Sequence, residues 1–229
     1  MLEDGLSYPA RGDWIGRILI GTVLGFLSFL LIPAFLVGGY LMRVLEKTVA
    51  GDDEPPEFDD WGDLLVKGIV ASIIGFVYAL VPTVLYSVVV MTLVGGGALL
   101  GGDGGGLLAG LGIMTILAYI PLMFIILYIV PAALTNYAVE GSIGAAFDIG
   151  TIKPVVLSME YLLAMLMPVV VAIGVNIVAS VLAITVVGLL LVPFLYFYMY
   201  VAVFRMFGIA FANTSQTSVS GTSTSASAL

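Results

Sequence analysis

The length of the uncharged runs constrains this chain most. No Asp, Glu, Lys or Arg interrupts residues 18–42, 68–102, 104–139 or 161–204, which hold 25, 35, 36 and 44 residues. Crossing ~30 Å of hydrocarbon takes about 20 apolar residues at ~1.5 Å each. Every run is long enough for a span. The last would reach ~66 Å as one helix, so it must fold back and cross twice, with a turn near 185–188. A water-facing surface is excluded by the same residues: 10% of the chain is charged and 61% hydrophobic, against about 25% charged in an ordinary soluble domain.

The residue types that are missing narrow the chemistry. There is no Cys and no His. Disulfides, thiolate catalysis and Cys-ligated metal centres are excluded, and the commonest general base and metal ligand is absent. No cofactor motif is present, and the chain is expected not to be an enzyme. A net charge of −8 argues against nucleic acid, which demands basic patches, and against a polybasic lipid-binding segment. Such an acid excess suits a high-salt cytoplasm. The first apolar run lacks a small-residue cleavage site, so it is read as permanent rather than as a signal peptide.

The seven basic residues, Arg11, Arg17, Arg43, Lys47, Lys67, Lys153 and Arg205, bear on topology. The first run is either one span, 18–40, or a hairpin turning at Leu31, Ile32 and Pro33, where proline breaks the helical ladder. With a hairpin all seven cations fall on one face, the cytoplasm by the positive-inside rule. Asp13-Trp14 and Asp60-Trp61 each precede an apolar run. The Asp suits an N-cap, and Trp14 and Trp61 suit interface anchors. Pro33/Tyr40, Pro121/Tyr128 and Pro193/Tyr200 share a spacing of seven. The expected architecture is an all-α, polytopic transmembrane bundle of about six helices. They form three hairpins near 14–50, 61–137 and 159–212, the first spanning or re-entrant. Residues 1–212 make one membrane domain with both termini cytoplasmic. Residues 213–229, rich in Ser and Thr, read as a disordered tail whose Asn213-Thr214-Ser215 sequon would be silent in the cytoplasm.

The loops supply the candidate sites. Residues 41–50 read as an interfacial amphipathic helix. Residues 52–63 carry Asp52, Asp53, Glu54, Glu57, Asp59, Asp60 and Asp63 around Pro55-Pro56. A divalent-cation site and a docking surface for a basic partner both fit such a loop, and so does a solvated, proline-stiffened connector. Eight glycines in 95–106 read as a flexible connector, because no Gly-Lys-Ser/Thr follows to cradle phosphate. In 136–160 a short surface helix capped at Ser142 is expected to break at Lys153-Pro154, and Ser158 suits the start of the next span. Asn176 is the one strongly polar residue deep in a run. It fits a solute path or an inter-helix hydrogen bond. Gly21 and Gly25 give a small-xxx-small face that suits close packing or self-association.

The run Tyr8-Pro9, Asp13-Trp14, Ile32-Pro33, Gly39-Tyr40-Leu41-Met42-Arg43, Pro55, Asp59-Asp60-Trp61-Gly62-Asp63-Leu64 and Lys67-Gly68 resembles archaeal and bacterial membrane proteins of domain-of-unknown-function family 4013. Pro131-Ala132-Ala133, Glu140-Gly141-Ser142 and Ala145-Ala146-Phe147 resemble it too. More distantly the chain is similar to membrane domains attached to some glycerophosphodiester phosphodiesterases. The resemblance covers about 8–212. It implies a polytopic membrane protein and carries no catalytic residue. The acid bias would fit a haloarchaeal member.

Two functions fit these features. One is a non-enzymatic scaffold or accessory subunit, whose partners are the bilayer and a membrane protein or a second copy. The other is a transporter or channel for a small solute or lipid, suggested by Pro33, Pro82, Pro121 and Pro193 within the runs.

Overall fold

The computed structural model describes residues 1–226, the side chains of Ile116 and 215–226 excepted. The described residues are helical, with no strand. A short helix α1 (Leu2–Ser7) and a 3₁₀ turn (Tyr8–Ala10) come first. The chain then bends by 91° into α2 (Trp14–Phe26). A second 3₁₀ turn, Leu27–Phe29, reverses it into α3 (Leu31–Ala50). The first hairpin therefore turns slightly before the expected 31–33. Pro33 sits in the first turn of α3, where a missing N–H breaks no helical bond. It starts the returning helix rather than breaking one.

The 13 residues of α2 reach ~20 Å, short of a bilayer. The 20 residues of α3 reach about 30 Å, but Arg43, Glu46 and Lys47 occupy its last two turns. The expected interfacial helix at 41–50 is a correction. Those residues are the C-terminal half of α3, and Leu41, Val44, Leu45 and Thr48 are buried within the protein. An amphipathic stripe has the same period whether it faces lipid or a neighbouring helix.

The long runs become α4 (Trp61–Leu100), α5 (Gly102–Glu140), α7 (Met159–Leu182) and α8 (Val186–Ala226), with a short α6 (Ile149–Val156) between the pairs. Among the described residues four helices are long and apolar enough to cross a membrane, with α8 counted over Val186–Thr214. That pattern is compatible with a multi-pass membrane protein. The α7–α8 turn falls at 183–185, just ahead of the place expected. The Ser/Thr-rich tail expected at 213–229 lies mostly outside the residues whose side chains are described.

Local chemistry sets the remaining boundaries. Ser142 accepts the Ala145 N–H, Asp148 accepts the Gly150 N–H, and Ser158 accepts the Tyr161 N–H. Each is an N-cap satisfying an orphan donor. Pro154 lies inside α6, which runs on to Val156. A helix of two turns absorbs the lost bond, so the expected break is not seen. Asp60 caps α4 through the Asp63 N–H at 3.3 Å, whereas Asp13 precedes α2 without a side-chain cap bond.

The chain divides into two compact units. One, Ile73–Val130, is the central stretch of the α4–α5 hairpin. Its glycine-rich segment is helical, contrary to the flexible connector expected. Only Gly101 interrupts it, and Gly101 and Gly102 take left-handed φ values of 61° and 58°. A Cβ on Gly97 would sit 2.5 Å from the Gly105 carbonyl oxygen. These glycines buy close helix approach rather than freedom. Tyr86 stacks on Tyr119 at 4.4 Å, and the Tyr119 hydroxyl meets Thr83 at 2.9 Å.

The other unit holds Met1–Ser72 and the residues from Pro131 onward. Its core gathers Tyr8, Tyr40, Leu41, Val44, Leu64, Phe197 and Val201. Helix α3 crosses the base of α4 with backbones touching. A Cβ on Gly39 would lie 2.9 Å from the Leu64 Cα and nearer still to its carbonyl, and one on Gly68 would collide with the Phe35 carbonyl. Gly21 receives the Phe197 ring, while Gly25 faces open space.

Candidate docking surface: a loop fastened by arginines

A chain with few cations must place them where burial is compensated. All four of its arginines donate to backbone carbonyls of the acidic loop. Arg205 Nη1 bonds Asp52 O at 2.6 Å, Arg11 Nη1 bonds Asp53 O at 3.2 Å, and Arg17 Nη1 bonds Pro55 O at 2.8 Å. Arg43 Nη1 bonds Asp59 O at 2.9 Å and its Nη2 bonds Asp60 O at 3.3 Å. The Tyr8 hydroxyl takes the Glu54 carbonyl at 3.1 Å. Phe58 stacks on Tyr40 at 4.1 Å with 9° between the rings. Pro55 and Pro56 are buried beneath. The loop is thus held from four elements, by its backbone and one aromatic ring, with carboxylates of Asp52, Asp53 and Asp59 adding ion pairs. Its backbone is fastened to the body, while the side chains at 52–54, 57, 59 and 60 remain exposed.

Two ion-pair groups brace these bonds. Asp4 bridges Arg11 at 2.6 Å and Arg205 at 3.0 Å, and the Arg205 guanidinium lies 4.4 Å from the Tyr8 ring centre. Asp63 joins Arg43 at 2.9 Å and Lys67 at 3.2 Å, and Lys67 also meets Glu46 at 2.6 Å. Arg205 and Arg17 are buried, at 6% and 7% exposure. Arg17 has no carboxylate among its described ion pairs. Its two described hydrogen bonds go to the carbonyls of Pro55 and Arg11, which supply partial charge at the desolvated guanidinium.

With the backbone turned inward, the carboxylates point outward. The side chains of Asp53 and Asp59 are 88% and 73% exposed, although the Asp59 carboxylate also accepts from Arg43, and Asp53 lies 3.7 Å from Arg205 and 3.9 Å from Arg11. The Asp52 carboxylate meets Lys47, at 3.6 Å. Glu54, Glu57 and Asp60 are exposed and make no ion pair among the described residues. No group of three or more described carboxylates is placed to hold a metal ion. Trp14 and Trp61 are half-exposed, at 43% and 47%, each at a helix start. Asn176 makes a bond between helices: its Oδ1 accepts from the Tyr196 hydroxyl of α8 at 3.0 Å. The apolar alanines singled out above are packing residues, with Ala132, Ala133 and Ala146 fully buried.

The sequence alone marked the acids but not their fasteners, Tyr8, Arg11, Arg17 and Arg205. The signal was present: a cation between apolar runs needs an acceptor, and 52–60 offers the densest set.

Burial alone would raise the Asp4 carboxyl. The hydrogen bonds from Arg11 and Arg205 outweigh it and hold the group below the ordinary carboxylate range. The sign follows from linkage. This bridge contributes its full stability above the unfolded Asp value of ~3.9 and loses it as pH falls through the lower folded value. Limited proteolysis of the N-terminal segment in micelles should be flat from about pH 8 to 5 and accelerate below about pH 4. Acceleration already near neutrality would contradict this assignment.

A family model described as a protein of unknown function (DUF4013) matches residues 26–184. The match includes Arg43, the acidic loop and Asp63, and leaves outside it Asp4, Arg11, Arg17 and Arg205. No curated protein and no solved structure compared with the chain matches it.

Proposed function

Since the chain belongs to the DUF4013 family, a family without an assigned activity, we propose that it is a non-enzymatic membrane scaffold or accessory subunit. Its arginine-fastened loop presents a fixed acidic surface to a basic segment of a membrane protein partner. One observation carries this reading: the loop backbone is bound to the body, while Asp53, Glu54, Glu57, Asp59 and Asp60 stay exposed. A surface ordered before binding loses little conformational entropy on binding. Complementary charge then gives orientation and rate.

The accompanying topology is part of the proposal. The first hairpin enters the bilayer and returns, and with the α4–α5 and α7–α8 pairs it makes about six helices in three hairpins. Asp4, the acidic loop and Arg205 are bonded to one another, which supports an even number of crossings with both termini on the cytoplasmic face of the cell membrane.

The test is purification of the full chain from its own membranes in mild detergent. A partner present in stoichiometric amount should be lost when Glu54 and Glu57 are changed to Gln, with melting temperature unchanged. Retention of the partner by that variant would overturn the reading. Solute flux or lipid transfer in vesicles by the chain alone would favour the transporter alternative, for which Asn176 and the in-helix prolines Pro82, Pro168 and Pro193 are the supporting features.

A further inference from the structure

Apolar side chains are exposed outside the uncharged runs as well as within them. Between Glu140, which ends α5, and Met159, which starts α7, the chain turns one face to the protein. Ala145, Ala146, Ile152 and Val155 are buried there. Polar groups hold that face in place. The Asn136 amide of α5 donates to the Ala145 carbonyl at 2.8 Å, the Ser158 hydroxyl meets Thr214 of α8 at 3.1 Å, and the Asp148 carboxylate accepts from the Thr151 hydroxyl at 2.7 Å. The outer face of α6 is Ile149, Gly150, Lys153 and Pro154, continued by Leu157 just past its end. Ile149 and Leu157 are 74% and 73% exposed. Four residues to either side of Lys153, they share its stripe. The C-terminal half of α3 is the contrast: its apolar stripe is buried in the protein, whereas α6 has a second apolar face left over.

We propose that α6 lies in the headgroup layer of the bilayer, with Ile149 and Leu157 dipped into the acyl boundary and the Lys153 ammonium on a lipid phosphate. Two observations select this occupant. One is level. Helices α5 and α7 are both long and apolar enough to cross a membrane, and this placement rests on reading them as spans. The 24 residues of α7 reach ~36 Å, little more than the ~30 Å of hydrocarbon. Met159 therefore stands at the hydrocarbon edge, and α6 ends just before it. The other is charge. Lys153 makes no ion pair among the described residues, and it is the one charged group on the outer face. A protein seated over that stripe would strip water from an unpaired ammonium. In the headgroup layer its stem covers apolar surface while the ammonium meets phosphate.

The test uses the full chain, which has no native cysteine, in vesicles of phosphatidylcholine and phosphatidylglycerol. Ile149→Cys and Leu157→Cys each carry a nitroxide, whose collision rates with oxygen and with a water-soluble nickel complex give its depth. Both labels should sit ~5–10 Å into the headgroup and acyl boundary. Both positions are exposed, and either label gives the answer if the other disturbs folding. A label on Glu57→Cys should be aqueous. One on Ile173→Cys, 58% exposed in the middle of α7, should be deep. Lys153→Glu should move the α6 labels outward, and Lys153→Arg should leave them in place. Aqueous α6 labels beside a deep Ile173 label would overturn the proposal. So would α6 labels shielded from both reagents, the mark of a covering protein or a second copy. Unchanged depth in Lys153→Glu would overturn the phosphate contact. An aqueous label at Ile173 would overturn the span reading and the placement of α6 with it. Neither α6 label lies in the acidic loop, so partner co-purification should survive in both, and the two readings fail separately.

Discussion

Gly39→Val should cost the protein most of its cooperative melting transition in detergent. The added carbons would enter the Leu64 backbone, where even a Cβ lies 2.9 Å from Cα and closer to the carbonyl. Backbone cannot rotate aside as a flexible side chain does, so the two helices must separate. Separation uncovers Leu41 and Leu64, both at or under 8% exposure. The penalty should exceed the ~1–3 kcal/mol typical of overpacking. Gly68→Val acts from the facing helix against the Phe35 carbonyl and should do comparable damage. The contrast is Gly75→Ala, where a Cβ meets nothing within 4 Å and the helix should gain ~0.5–1 kcal/mol. Thermal unfolding of the three variants separates close approach from a general dislike of substitution. Equal tolerance at Gly39 and Gly75 would refute the backbone contact.

Arg205→Met should destabilise by ~2–3 kcal/mol, the scale of charged hydrogen bonds lost in a largely dehydrated place. The upper end is discounted because Asp4 is one-third exposed and keeps its Arg11 partner. The substitution removes the bond to the Asp52 carbonyl and the cation over Tyr8 together. Arg205→Lys should recover only part, since an ammonium cannot fork between Asp4 and Asp52. Lys153, exposed and without a described ion pair, is the comparison: Lys153→Met should stay within ~0.5 kcal/mol of the parent. Denaturation in mixed micelles reads all three. Full rescue by lysine would show that charge alone matters there.

The long elements were legible because their constraint is one-dimensional. An uncharged run of 35 residues leaves a chain few options but a long helix, and capping by Ser142 and Ser158 follows from local donors. What stayed hidden depended on who faces whom. The stripe Leu41, Val44, Leu45 and Thr48 fits lipid and protein equally, and only the packed fold shows protein. Glycine density at 95–106 signalled freedom, whereas Gly97 and Gly105 serve contact between α4 and α5. The acidic loop was visible as composition, but its order was not. The cations that hold it come from both ends of the chain, Arg11 and Arg205 being 194 positions apart, and no local pattern links them.

Residues 52–60 form a fixed acidic surface, held by this chain's own arginines. The chain has no cysteine, so Glu57→Cys accepts a single spin label at an exposed position, and its electron paramagnetic resonance line shape reports local motion. A broad, restricted spectrum is expected in the otherwise unchanged protein. A narrow, mobile one is expected once Arg17 and Arg205 are both replaced by Met. A label already mobile while all four arginines are present would contradict a fixed surface.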